Sequence, residues 1–157
     1  MAKAFRIALF SILFACTLAV FGAPVSGDHA GQSIMVDGMS VHLGLMPAEV
    51  MRQHPEWYPE HEQSEIPSGK DYYHVMLALF DNSTGERIAN AVVEARVSPL
   101  GLSGPKRSLV PKRVSGTITY CNFFRLSPLD TFDIQAVIRR PDVSRASNVR
   151  FVLERHL

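Results

Sequence analysis

Apolar and polar residues alternate through a succession of short segments, and turn-forming clusters separate them. That pattern selects strands over helices, because successive side chains of a strand point to opposite faces. Over 131–139, Phe132, Ile134, Ala136 and Ile138 share one face. Over 148–155, Val149, Phe151 and Leu153 do the same. Over 35–45, Met39, Val41, Leu43 and Leu45 oppose Ser40, His42, Gly44 and Met46. The segment 72–80 is apolar or aromatic on both faces, which marks a central strand. The cluster 81–86 is a turn by composition, so 88–97 reads as the second arm of a β-hairpin. A strand over 114–126 carries Tyr120, Phe123 and Phe124. Helix signal is confined to 47–54, where Pro47 suits a first turn, Glu49 complements the dipole and Pro55 stops the run. The expected fold is all-β, an antiparallel Ig-like β-sandwich of about seven strands.

The chain opens with the layout of a cleaved signal peptide. Lys3 and Arg6 precede an apolar run over 7–21, and small residues follow. A membrane-crossing helix needs about 20 apolar residues, and this run is shorter and ends in Gly22 and Pro24. The expected division is a signal peptide at 1–22, a flexible arm at 23–33 and a β-sandwich domain at 34–157. Two long loops, 47–70 and 98–113, interrupt that domain. Cleavage implies a periplasmic or secreted protein with no stable membrane insertion. It removes two of the 16 basic residues, Lys3 and Arg6, leaving 14 against 15 acidic ones. A near-neutral chain lacks the clustered excess of Lys and Arg that nucleic-acid binding requires. Cleavage also removes Cys16, so only Cys121 remains and no intrachain disulfide can form. Stability must then come from the core. Val75, Leu77, Leu79, Ile118, Phe124, Phe132, Ile134 and Phe151 are the residues expected to build it.

Histidine and methionine carry the chemistry. Thioether and imidazole suit copper, and thioether favours Cu(I). His42 and Met46 share one face of the first strand, and His74 and Met76 share one face of the central strand. If the two strands are neighbours, these four side chains form the expected metal site. The same residues also read as ordinary core, because Met fills apolar gaps readily. An alternative site lies in the first loop, where His54, Glu60 and His61 offer mixed nitrogen and oxygen donors beside Trp57 and Tyr58. Acidic loops of this kind are also commonly just solvated. Cys121 lacks the closely spaced His and Met of a blue-copper site, so it is expected to be a small buried hydrophobe. No nucleophile elbow, Walker loop or His-Glu-x-x-His motif occurs, and no catalytic residue is assigned.

A family resemblance enters at residues 72–157. Asp81, Thr84, Gly85, Glu86, Ile88, Asn90, Ala91 and Val93 look like the hairpin of many Ig-like domains. With Thr119-Tyr120, Phe124, Leu126, Phe132 and Ile134, they resemble the small exported sandwiches of the YtkA-like and FixH-like type. The resemblance implies a role in copper handling or oxidase assembly. Two functions are carried forward. One is an exported non-enzymatic accessory protein that handles copper, or iron, with a protein partner in the cell envelope. The other is an Ig-like structural or protein-binding module without a metal.

Overall fold

The computed structural model describes residues 32–57, 63–114, 116–126 and 131–154. The expected signal peptide and nearly all of the arm lie outside these residues. Among the described residues, eight strands form one antiparallel sheet. They are β1 (Ser33–Val36), β2 (Met39–Pro47), β3 (Tyr72–Asp81), β4 (Val92–Pro99), β5 (Lys106–Val114), β6 (Thr117–Arg125), β7 (Phe132–Arg139) and β8 (Ser147–Leu153). The hydrogen-bonded order is β1-β2-β3-β6-β5-β4-β7-β8. The sheet rolls up until its two ends meet, giving a nearly barrel-shaped body. Gln32 Nε2 donates to the Val152 carbonyl across that seam at 3.0 Å. Arg140 at the end of β7 donates to the Asp37 carbonyl at 3.1 Å.

Alternation puts one apolar face of each strand inside the roll. Val75, Leu77, Leu79, Phe124, Phe132, Ile134 and Phe151 join a single buried cluster with Val41, Leu43, Tyr120 and Ile138, as expected. Ile118, near the start of β6, is only half-buried.

Three expectations are corrected. The segment 35–45 is two strands, not one. Asp37 (φ 45) and Gly38 (φ 75) both lie in the left-handed region and make a two-residue hairpin turn between β1 and β2. The expected loop 98–113 ends early, because β5 begins at Lys106. Residues 106–109 of β5 pair with β4, and residues 110–114 pair with β6, so this strand stitches the two halves of the roll together. Its signal was weak because Leu109 is its one buried side chain and Pro111 interrupts the run. The expected β3–β4 hairpin does not form. The turn itself is real, since Asp81 accepts from the Ser83 and Thr84 amides at 2.8 and 3.2 Å. After a single bridge between Phe80 and Arg87, however, the chain leaves β3 and crosses to the other half. There β4 pairs with β5 and β7.

Tyr120 pins that crossing. Its hydroxyl accepts from the Ala91 amide at 2.9 Å and donates to the Ile88 carbonyl at 3.1 Å. Tyr120→Phe leaves a buried amide without its acceptor and should cost about 1–3 kcal/mol in urea unfolding. An unchanged midpoint would show that the crossing is held by something else.

The first loop is partly structured, as expected. It contains α1 (Ala48–Gln53) and a 3-10 turn at Pro55–Trp57. No helix among the described residues is long and apolar enough to cross a membrane.

Candidate metal centre on the outer face

The side chains of chemical interest lie outside the roll. On β3, Val75, Leu77 and Leu79 point inward, so His74, Met76 and Ala78 point outward. Strands β2 and β3 are neighbours, as the metal reading required. Met46 stands directly opposite His74, Gly44 opposite Met76, and His42 opposite Ala78. On the other side of β3, Phe123 of β6 stands opposite His74, and Cys121 opposite Met76. Two rows therefore run across the sheet: Met46–His74–Phe123 and Gly44–Met76–Cys121.

Met46, His74 and Met76 are brought together. Directly opposed side chains in a sheet have Cβ atoms about 4.5–5.5 Å apart, and same-face neighbours along a strand are about 7 Å apart. His42 is not part of this group. It lies four residues along β2 from Met46, about 13 Å at the strand rise. There it is exposed and meets the Phe80 ring edge-on at 5.3 Å. The same-face reading of His42 and Met46 holds, but the pairing register places His42 two rows from His74.

The first loop covers the His74 end of this face. Ala48 and Met51 of α1 and Ile66 form a second buried apolar cluster, against which Met46, Tyr72 and Phe123 pack. Polar ties fasten the cover. Arg52 donates to the Pro67 carbonyl, and Gln63 donates to the Pro55 carbonyl at 3.1 Å. Glu65 pairs with Lys112 of β5 at 2.9 Å.

Under this cover His74 is 1 % exposed, and its ring stacks on Phe123 at 4.7 Å. Burial lowers its pKa from 6.5 to about 4, and the nearby Lys112 ammonium adds to that shift. The imidazole is therefore neutral across the physiological range, the form that binds metals. Protons should compete with a metal for it only near about 4, well below the range of a free histidine.

The alternative site is only partly described. His54 ends α1, stacks on Trp57 at 4.2 Å, and places Nδ1 3.1 Å from Glu56 Oε1. Glu60 and His61 lie outside the described residues. Among the described residues, no three His, Cys, Asp or Glu side chains stand together as a metal-binding group. Donors beside His74 would thus come from methionine sulfur, a set that fits copper in its soft Cu(I) state better than iron.

The fold and this face define an all-β antiparallel protein with soft donors displayed on the outside of its sheet. No family model matches the chain, and no curated protein matches it by sequence. Solved structures do share its fold. A DUF4426 family protein from Pseudomonas aeruginosa superposes with a TM-score of 0.56 at 16% identity, over 78% of this chain and 92% of that one. A copper-bound variant of FetP from uropathogenic Escherichia coli gives 0.59 at 11% identity, over 80% and 94%. FetP as isolated after expression in the periplasm gives 0.58 at 12%, over 79% and 92%. These likenesses are to small β-proteins, and their names differ from those of the YtkA-like and FixH-like groups.

Proposed function

We propose that this chain is an exported, non-enzymatic accessory protein that holds copper as Cu(I) on the outer face of β2 and β3. One observation carries the reading. Met46 and His74 oppose each other directly, with Met76 in the next row, and the imidazole between them is buried and neutral. Two thioethers and an imidazole are a donor set suited to Cu(I). The copper-bound state of a protein with this fold supports the choice of metal. The signal-like N-terminus, together with a fold neighbour expressed in the periplasm, supports a periplasmic setting. We read the roll as an Ig-like sandwich in which β5 passes from one half to the other. Delivery to a protein partner in the cell envelope, such as an oxidase under assembly, is the role that follows.

A second reading keeps the fold without the metal. In it, Ala48, Met51 and Ile66 simply cap the sheet, and the cover presents a binding loop. Chelator competition separates the two. His74→Ala should weaken Cu(I) binding at least about 10-fold, the scale seen when metal-site groups are removed. His54→Ala, at the end of α1 and away from this face, should leave it within about 2-fold. The reverse ranking would move the site to the first loop.

A further inference from the structure

The charge balance of the whole chain hides a local excess. Residues 95–129 hold six of the 16 Lys and Arg and no Asp or Glu, leaving 10 basic against 15 acidic residues elsewhere. The fold gathers this stretch on one flank, because β6, β5 and β4 stand side by side. Lys106, Lys112 and Arg125 pair with Glu94, Glu65 and Asp71. Arg96, Arg107 and Arg113 instead donate to uncharged oxygens of Ser103, Phe123 and Gly116, and these contacts leave their charge unneutralised.

One end of that flank carries an apolar tip. Between β4 and β5 the chain turns at Gly101 (φ 82) and holds out Leu100 and Leu102, 51% and 68% exposed. The turn is fastened. The Leu100 amide donates to the Thr131 carbonyl at 2.7 Å, and the Leu102 amide to the Pro99 carbonyl at 3.0 Å. Arg96 clamps the returning leg through Ser103 Oγ at 3.0 Å and the Gly104 carbonyl at 3.3 Å. A side chain at Gly104 would collide with the Val97 carbonyl, so that leg lies hard against β4. A fixed backbone thus keeps two leucines in water. Lys106 and Arg107 open β5 just after the turn, and Arg125 closes β6 at the same end of the roll.

We propose that the β4–β5 tip docks this protein on an anionic lipid bilayer. Leu100 and Leu102 enter the boundary of the acyl layer, and the cations of the flank meet lipid phosphates. Charge and shape choose this occupant together. The flank calls for an anionic surface. The tip is convex, so a protein partner would need a matching socket, whereas an acyl layer takes two aliphatic side chains without one. A nucleic acid meets the cations but offers nothing to the leucines. The docking is independent of copper.

The test is sedimentation of the whole exported protein with vesicles. Wild type should bind vesicles of phosphatidylcholine mixed with phosphatidylglycerol, and bind pure phosphatidylcholine far less. Binding should weaken between about 0.1 M and about 1 M salt, where the screening length falls from about 10 Å to about 3 Å. Leu100→Asp with Leu102→Asp should weaken it at least about 10-fold. Wild type and variants share one N-terminus, so its contribution cancels. Circular dichroism checks that the double variant is folded, and Leu102→Ser alone, a milder change, should move binding in the same direction. No binding to phosphatidylglycerol vesicles at low salt would overturn the proposal. So would equal binding to both vesicle types, or full binding by the folded leucine variants. A wild-type dimer that the leucine changes dissolve, with no vesicle binding, would make the tip a contact between copies instead. Cu(I) uptake should be the same in wild type and the leucine variants, so the docking and the copper site can fail separately.

Discussion

Leu77→Ala should lower the unfolding free energy by about 2–5 kcal/mol, the usual range for a large-to-small change in a closed core. Leu77 is fully buried at the centre of β3, with Leu43 opposite on β2 and Tyr120 opposite on β6. Those strands are held by their ladders, so the surrounding side chains can collapse only partly into the space. Much of the cavity term therefore remains. The midpoint of urea unfolding should fall, while its slope should stay near the wild-type value because the surface exposed on unfolding hardly changes. A midpoint equal to wild type would mean that the inward face of β3 is misassigned. The outward assignment of His74 and Met76 would fall with it, since the two faces are fixed by the same alternation.

Acid should destabilise the protein well above the carboxylate range. The folded state holds His74 at about 4, whereas the unfolded chain titrates it near 6.5. Between those values the unfolded state binds more protons, so stability falls as pH falls. The contribution is fully present above about 6.5 and lost by about 4. The whole shift corresponds to about 3 kcal/mol, of which about 2 kcal/mol should be lost between pH of about 7 and about 5. Asp81, Glu94 and Asp133 are also held below their ordinary values, chiefly by hydrogen bonds from Ser83, Arg139 and Arg150 respectively. Those contributions are lost only as pH falls below about 4.5, outside this window. Urea unfolding of wild type and His74→Gln at both pH values isolates the histidine. The variant should show a clearly flatter dependence, whatever its absolute stability. Equal slopes would mean that His74 is not a buried neutral imidazole.

Much of this architecture was legible in the sequence, for a physical reason. Strands β2, β7 and β8 bury one face in a shared core, so their alternation is imposed by burial and survives in the residue order. The segments that misled are those where burial does not write the pattern. β5 is held mainly by its ladders and buries only Leu109, so its basic, proline-containing sequence resembles a loop. The β1–β2 turn is short enough for the apolar rhythm to run on past Asp37 and Gly38. The crossing from β3 to β4 was hidden for a different reason. The cluster 81–86 does make a turn, but local turn chemistry does not say which strand the chain pairs with afterwards.

The outer face divides in the same way. Period two alone places Met46 with His42, and His74 with Met76. Only the register of β2 against β3 shows that Met46 meets His74 while His42 stands about 13 Å along the strand. The neutral state of His74 depends on the cover formed by α1 and Ile66, whose docking no local pattern reports. Cys121 was readable as a residue of opposite parity to Tyr120 and Phe124. Its place opposite Met76 required knowing that β6, not β4, is the partner of β3.

Copper binding on the outer face of β2 and β3 is measured by equilibrium titration of the reduced, purified protein against a chromophoric Cu(I) chelator. Wild type should withdraw one equivalent of Cu(I) from the chelator, and His74→Ala, confirmed as folded, should withdraw far less. A folded wild-type protein that leaves all the copper with even a weak chelator would rule out the copper site and leave a metal-free binding module in its place.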